Sequence, residues 1–216
     1  MAELRLSELD KVERLHLLTS CVVPRPIALV TTRGAAGGLN TAPFSFFNVL
    51  SYQPDIVALG IGDRANGRPK DTLVNIRAGG SFVVGLVNEA MLQQVNLCGV
   101  DFTEGEDELA LAGLTAVEGF QDDLPRIGEA PVSLGCELLQ EVRHGSHSII
   151  LGTVERVWVD DALMRDDGRI DHGQLNLVAR LGGTFYAKNW DRMSMPRMML
   201  ADWQRATLAA DLPIED

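Results

Sequence analysis

A nine-residue stretch, NTAPFSFFN at residues 40–48, combines hydrogen-bonding and aromatic side chains to a degree that neither a buried strand nor a surface loop requires. Thr41, Ser45 and Asn48 supply hydroxyl and amide groups, and Pro43 is predicted to break regular strand pairing and to leave neighbouring backbone N–H groups free. Polar groups and small side chains beside an aromatic wall are typical of a site for a flat heteroaromatic ligand. The alternative interpretation places the phenylalanines in the core.

A second stretch, KDTLVNI at residues 70–76, is predicted to begin a helix. Asp71 and Thr72 are both suitable N-caps, and capping alone would explain them. A helix start also binds anions through its free N–H groups and its dipole, and Lys70, one of three lysines in the chain, adds positive charge there. Together with residues 40–48, this stretch predicts a site for a planar cofactor that carries a phosphate tail.

Other catalytic and binding signatures are weak or absent from the sequence. The segment GIGDRANG at residues 60–67 lacks the G-x-G-x-x-G spacing, and Pro69 interrupts the position where the helix of a dinucleotide-binding fold would run. His144 and His147 flank a predicted turn with no carboxylate or thiol at ligand spacing, so we expect no metal site. No GxSxG, P-loop or HExxH pattern occurs.

The composition limits which binding partners and which cellular compartment we expect for this protein. The 216 residues carry a net charge of −11, which disfavours binding to nucleic acid and to anionic membrane surfaces. The apolar runs are too short to span a bilayer and the first residues are charged, so we expect a cytoplasmic protein that does not enter a membrane. The three cysteines are far apart and form no CxxC motif, which argues against disulfides and structural zinc.

The elements that must position these residues are mostly strands. Strands are predicted over residues 22–32, 55–62, 81–87, 132–142 and 147–159. Helices are predicted near residue 10 with Ser7 as the cap, over 70–78 and over 89–99, and a short helix and a strand are predicted within 173–189. Because strict strand–helix alternation is missing and two long strands follow each other, we expect a mainly β fold, an antiparallel barrel with peripheral helices.

Two further regions read as irregular. Residues 101–131 are acidic and rich in turn residues, and are predicted to form a surface excursion. The last 25 residues are rich in Met and Arg, and the apolar segment 191–203 is predicted to form an interface or a lid over a pocket.

Several motifs in order resemble the flavin reductase-like, FMN-binding split-barrel family. The matching segments are RPIALVTT, APFSFFN, IVALGIG, KDT followed by NI, FVV, GSHSIILGTV, DGRID and ARLGG followed by YA. The resemblance covers residues 20–190, and the acidic insertion at 101–131 resembles the flavoredoxin-like branch. It implies one domain over residues 1–216 with a split β-barrel of Greek-key character.

The resemblance also implies an activity and its cofactors. Members of this family are usually homodimers that bind FMN, less often FAD, near the subunit interface. Many reduce flavin with NAD(P)H, so we expect an NAD(P)H-dependent flavin oxidoreductase. The alternatives are an FMN-holding electron carrier that serves a partner protein without its own NAD(P)H reaction, and a barrel that has lost its cofactor.

By motif, the resemblance assigns candidate site residues to this chain. The flavin would contact Thr41, Ala42, Pro43, Ser45, Phe46, Phe47 and Asn48, its phosphate would lie near Lys70, Asp71 and Thr72, and Arg180 and Tyr186 would line the pocket. His147 would lie on the nicotinamide side, although Ser146 stands where many reductases carry an acidic residue, which weakens that assignment. No catalytic side chain is expected because the flavin carries the chemistry.

Overall fold

The computed structural model describes residues 1–100, 102, 106–120, 124–188, 191 and 193–210. The strands are β1 (Arg25–Pro26), β2 (Ala28–Arg33), β3 (Leu39–Phe44), β4 (Phe47–Tyr52), β5 (Asp55–Gly62), β6 (Ser81–Leu86), β7 (Ala116–Phe120), β8 (Leu124–Ile127), β9 (Val132–His144), β10 (His147–Val159), β11 (Ala179–Arg180) and β12 (Tyr186–Ala187). The helices are α1 (Lys11–Cys21), α2 (Asp71–Gly79), α3 (Leu92–Leu97), α4 (Glu108–Leu111) and α5 (Leu200–Ala210), with 3₁₀ turns at Leu6–Glu8 and Asp161–Leu163. Within the described ranges, none of these helices is both long and apolar enough to cross a bilayer.

Seven strands form one antiparallel sheet in the order β3-β2-β6-β9-β10-β5-β4. β3 and β4 lie at opposite edges of this sheet, yet only Ser45 and Phe46 connect them along the chain. Two residues cannot span a flat seven-stranded sheet whose strands lie about 4.8 Å apart, so the sheet must curl until its edges approach. The N–H of Gly60 donates to the carbonyl of Phe46 at 2.7 Å, which extends the β4–β5 pairing as far as the bend. This arrangement confirms the expected split β-barrel.

The barrel interior is filled by the alternating apolar residues of its strands. Val30, Leu59, Phe82 and Ile150 are fully buried in this core. A Cβ at Gly152 of β10 would lie 2.5 Å from the Phe82 ring, so this glycine provides the space that the ring occupies. The long β9–β10 hairpin was predicted from its alternation, and β5 has the predicted bounds.

Helix α2 is fixed to the barrel by two buried amide–hydroxyl hydrogen bonds. The Asn40 amide of β3 donates to Thr72 Oγ1 at 3.0 Å, and the Asn75 amide of α2 donates to Thr32 Oγ1 of β2 at 3.1 Å. Leu73, on the same helix, is fully buried in the core. The start of α2 is therefore held against the edge strand that leads into the bend at residues 45–46.

Three predictions about the elements are wrong. The N-terminal helix is capped by Asp10 rather than Ser7, because Asp10 forms a capping box with Glu13. Residues 173–188 contain no helix; they form turns and the short strands β11 and β12. The C-terminal region is not wholly irregular, since its described part contains helix α5. The predicted excursion at 101–131 lies partly outside the described residues, and its described part holds α4 and the β7–β8 hairpin.

Candidate functional site

The bend between β3 and β4 separates the three phenylalanines of the 40–48 stretch. Phe44 and Phe47 are buried, whereas Phe46 is 42% exposed. Phe46 lies closely over Gly60 of β5, where a Cβ would come within 2.9 Å of the Phe46 Cβ. Two of the rings therefore belong to the core, and the third is held at the surface of the joint between the sheet edges.

An open cavity of about 450 Å³ adjoins this bend. Pro43, Phe44, Ser45 and Phe46 form part of its lining. The remaining polar and charged lining residues come from α1, β1, α3, β11 and β12, and are His16, Thr19, Arg25, Asn96, Arg180 and Tyr186. The short strands β1, β11 and β12 form a separate three-stranded sheet that places Arg25, Arg180 and Tyr186 at the cavity.

The cavity is positively charged within a chain whose net charge is −11. None of its described lining residues is Asp or Glu. The Arg180 guanidinium lies 4.6 Å from the centroid of the Tyr186 ring and donates to the Tyr186 hydroxyl and, at 2.7 Å, to the Gly183 carbonyl. Burial, and then the nearby charge of Arg180, lower the pKa of Arg25.

The start of α2 lies next to this cavity, because both contact the Phe44 ring. Lys70 is the N-cap residue, no side chain caps the helix, and Lys70 Nζ lies 5.8 Å from the centroid of the Phe44 ring. Arg64 pairs with Asp71 at 2.7 Å. The helix start therefore presents unsatisfied backbone N–H groups and two cations, one of which is compensated by Asp71.

Comparison with protein families identifies the chain. The family described as "Flavin reductase like domain" matches residues 19–174. The chain belongs to the flavin reductase-like family. An uncharacterized protein of Deinococcus radiodurans is 40% identical over 206 residues, covering 92% of this chain and 91% of the relative. The Bacillus subtilis protein YwrF, also uncharacterized, is 32% identical over 197 residues, covering 88% of this chain and 96% of the relative.

Solved structures agree with this flavin reductase-like assignment. Nitrilotriacetate monooxygenase component B from Bacillus cereus superposes with a TM-score of 0.85 at 30% identity, covering 90% of this chain and 98% of that chain. The 2-nitrobenzoate 2-nitroreductase NbaA of Pseudomonas fluorescens gives 0.83 at 29% identity, covering 92% and 98%. A flavoredoxin of Desulfovibrio vulgaris shares the fold, with a TM-score of 0.71 at 24% identity and coverage of 81% and 91%.

The structure brings together only part of the residues that the resemblance assigns. In this flavin reductase-like chain, one cavity is lined by Pro43, Ser45, Phe46, Arg180 and Tyr186. Lys70 adjoins that cavity through Phe44, and Ala42 lies half-buried in β3 against the barrel core. The flavin contacts of these residues stay predictions.

Other assigned residues make contacts within the protein. The Thr41 hydroxyl is buried 3.4 Å from the Thr31 hydroxyl, and its N–H donates to Glu108. Thr72 is buried against Asn40, and the amide oxygen of Asn48 accepts from the N–H of Val49. Asp71 is paired with Arg64 and Phe47 is a core residue. The prediction that Pro43 breaks strand pairing is wrong. Pro43 of the edge strand β3 pairs with Leu29 of β2, and its missing N–H leaves no hydrogen-bonding group of β2 without a partner.

His147 is exposed at the start of β10, outside the described lining of the cavity. It stands opposite both Gly62 of β5 and His144 of β9. A Cβ at Gly62 would lie 2.9 Å from His147 Nε2, so the ring lies over this glycine. Among the described residues no group of three His, Cys, Asp or Glu side chains has the arrangement to hold a metal. The nicotinamide role of His147 stays a prediction.

Five polar residues around the site were not predicted from the sequence: His16, Thr19, Arg25, Arg64 and Asn96. Arg25 is the first residue of the RPIALVTT motif, so that motif was the available signal. His16 and Thr19 belong to α1, which contains no fully buried residue and which gave no chemical pattern. Burial raises the pKa of Cys98 to about 11 and that of Cys136 to about 12, so neither thiol is suited to nucleophilic chemistry.

Proposed function

We propose that this chain binds FMN and acts as an NAD(P)H-dependent flavin oxidoreductase. The observation that carries the proposal is that the cavity and the start of α2 both lie against the Phe44 ring. Phe44 lines the cavity beside the Ser45–Phe46 bend and also lies under Lys70 at the start of α2. A planar ring system with a phosphate tail requires both an aromatic-walled cavity and a cationic helix start within one ligand's length.

The residues present fit such a cofactor. Phe44, Phe46 and Tyr186 supply aromatic surface to a cavity of about 450 Å³, within the usual range for small-molecule sites. Lys70 Nζ makes no hydrogen bond in the described part of the chain, and the first N–H groups of α2 have no side-chain cap. The cationic group and the open donors are what a phosphate monoester needs.

In this proposal the chain binds and orients the cofactor and shields it from water. When bound, the flavin supplies the hydride-accepting ring and passes the electrons to an acceptor. Lys70 and the α2 N-terminus hold the phosphate, while Pro43 to Phe46 and Tyr186 form the walls that orient the ring. No side chain of this chain is required as a nucleophile, in agreement with the missing catalytic signatures.

Two similar proteins support a redox role. The NbaA structure, at 29% identity, is described as a nitroreductase. The Bacillus cereus structure, at 30% identity, is described as a component of a monooxygenase. Both names describe redox proteins, which favours a redox reaction over a barrel that has lost its cofactor.

The test is a flavin titration followed by rapid mixing. Purified protein is stripped of flavin, titrated with FMN and with FAD by fluorescence, and the loaded form is mixed with NADH or NADPH in a stopped-flow instrument. We expect tighter binding of FMN than of FAD, and rapid bleaching of the flavin absorption band by one nucleotide. Flavin binding without bleaching by either nucleotide would favour the electron carrier, and absence of flavin binding would refute both functions.

We also propose a homodimer. Three apolar side chains of β4, Val49, Leu50 and Tyr52, are between 60% and 80% exposed. Met193 and Trp203 in the C-terminal segment are also exposed. Apolar patches of this kind commonly mark subunit contacts. Light scattering should give twice the mass of the 216-residue chain, and a monomeric mass with flavin bound would contradict the proposal.

The cytoplasmic location and the single domain over 1–216 stay predictions.

A further inference from the structure

Two arginines stand directly opposite each other at the cavity. Arg25 of β1 and Arg180 of β11 are register partners in the antiparallel pair, and both line the cavity. Like charges at opposed positions of an antiparallel pair repel and destabilise it. A protein with 30 acidic residues could have placed a carboxylate between them, but neither guanidinium pairs with one within the described residues.

The partners that the two arginines do have are neutral. Arg25 is 8% exposed and donates to the carbonyls of Thr19, Val22 and Leu181. Arg25 Nε is buried without a hydrogen-bond partner among the described residues. A guanidinium has five N–H donors, so each arginine keeps donors beyond those that are used. Burying a cation without an opposite charge is unfavourable, and a ligand anion would relieve it.

The remaining surface of the cavity is mostly apolar. Ile27, Phe44, Phe46 and Val95 line it together with the Tyr186 ring. A ligand that satisfies both parts of the lining has an anionic head group and a flat apolar body.

We infer that this cavity binds an aromatic carboxylate, and that Arg25 and Arg180 are the residues that bind its carboxylate group. The inference that this ligand is the substrate of the flavin rests on the proposed function. The inference that the cavity binds it does not. The planar guanidinium fork matches a carboxylate in two parallel hydrogen bonds. The ring of the acid then lies against Ile27 and Val95, beside the walls that hold the flavin ring in the proposed function.

The chemistry at the cavity differs from that at the start of α2. A phosphate is bound well by a helix N-terminus with a lysine, which is the arrangement at Lys70. The cavity receives no helix N-terminus: α1 contributes His16 and Thr19 from its middle and last turn, and α3 contributes Val95 and Asn96 from its C-terminal half. The molecule therefore holds two anion sites of different type, and the cavity is the one suited to a carboxylate.

The experiment is calorimetric titration of the flavin-loaded and the flavin-stripped protein with benzoate. The neutral isostere benzamide, inorganic phosphate and NADH serve as comparison ligands. We expect benzoate to bind at least about tenfold more tightly than benzamide, because the charged hydrogen bonds are lost with the amide. Arg180→Gln should weaken benzoate binding about tenfold or more, whereas Arg165→Gln, in an exposed ion pair with Asp167, should leave it unchanged.

A second readout separates recognition from structural support. Removing one of two opposed like charges should raise the melting temperature of the ligand-free Arg180→Gln variant or leave it unchanged, and benzoate should raise the melting temperature of the wild type only. Arg25→Gln loses the bonds to the end of α1, so Arg180→Lys, which keeps the charge and loses the fork, is the second variant. It should bind benzoate more weakly than wild type does.

Several outcomes would overturn the inference. They are equal binding of benzoate and benzamide, no benzoate binding at millimolar concentration, and phosphate or NADH competing through Arg180. Loss of FMN affinity in Arg180→Gln as large as in Lys70→Ala would assign the arginines to the flavin phosphate. Flavin binding is read on the same samples by absorption, so a failure of the proposed function is seen separately from a failure of benzoate binding.

Discussion

The two halves of the 40–48 stretch look alike in sequence and are used differently in the structure. In the first half, Asn40 and Thr41 are buried, and their side chains contact Thr72 and Thr31. In the second half, Ser45 and Phe46 line an open cavity at the joint between two sheet edges. The polar groups of the first half therefore hold the barrel and α2 together, while Ser45 of the second half lines the cavity, where it can contact a ligand.

A hydroxyl near a binding site can therefore affect binding indirectly, by holding the fold in place. Asn40 fixes the start of α2 through Thr72, and Lys70 stands two residues before Thr72. A substitution in the first half is thus expected to alter ligand binding only by moving α2, whereas one in the second half alters it directly. Four variants test this division.

The largest effect is expected for Thr72→Val. The change leaves the buried Asn40 amide without its acceptor, and we expect the free energy of unfolding to fall by about 2 kcal/mol. Chemical denaturation measures it, and Thr72→Ser, which keeps the hydroxyl, is the matched control. Unchanged stability with weakened FMN binding would show that Thr72 contacts the cofactor and would break the comparison.

Lys70→Ala tests the ligand side. Lys70 makes no hydrogen bond in the described part of the chain, so stability should change little, and FMN affinity should fall about tenfold, which corresponds to about 1.4 kcal/mol. Lys188→Ala, which removes an exposed lysine paired with Glu89, is the control in the same flavin titration. Equal FMN affinities in both variants and the wild type would count against the phosphate site.

Gly60→Ala tests the joint itself. The added Cβ would lie 2.9 Å from the Phe46 Cβ, so the bend must shift, at a cost of about 1 kcal/mol in stability and a several-fold loss in FMN affinity. Gly38→Ala places its Cβ in open space and serves as the control. If Gly60→Ala bound FMN as tightly as wild type does, the position of Phe46 would be irrelevant to the site.

The smallest effect concerns a polar network remote from the cavity. Hydrogen bonds from Arg77 and then from Ser148 lower the pKa of Glu141 to about 2. Because this folded-state pKa lies below the unfolded value of about 4.3, Glu141 stabilises the fold above that value, and the contribution is lost as the pH falls toward 2. Solvent screening limits it to less than about 1 kcal/mol.

Denaturation of wild type and Glu141→Gln between pH 2 and pH 6 measures the Glu141 contribution. The two unfolding free energies should converge at the acid end, and FMN affinity at neutral pH should be equal in both proteins. A pH-independent difference in stability would contradict the assignment of the carboxylate charge to this network.

Much of the fold was predictable because its strands alternate apolar and polar residues over long runs. β10 follows from that pattern and β5 from a continuous apolar run, and the family comparison confirmed the resemblance that the order of motifs indicated. The caps and short strands were not predictable, because Asp10 competes with Ser7 for one cap, and β11 is set by pairing with β1 rather than by its own sequence. Tertiary contacts decide such cases.

The site was predictable in outline only. The sequence shows that Thr41, Ser45 and Thr72 are polar, but which hydroxyl faces a cavity depends on the direction of each side chain in the curled sheet. The pairing of Arg25 with Arg180 joins residues far apart in the chain, and no local pattern reports such a contact. The RPIALVTT motif contained Arg25, and only the register showed what it stands against.

The two-residue connection at Ser45 and Phe46 also determines how this chain can be re-cut. This connection closes the barrel, because it joins strands from opposite edges of the seven-stranded sheet. Circular permutation with new termini at this point would let the β3 and β4 edges, which do not pair with each other, move apart and become accessible, and unpaired strand edges are templates for intermolecular pairing. We therefore expect such a permutant to aggregate. A permutant opened at the β9–β10 turn keeps the connection at Ser45 and Phe46, and we expect it not to aggregate.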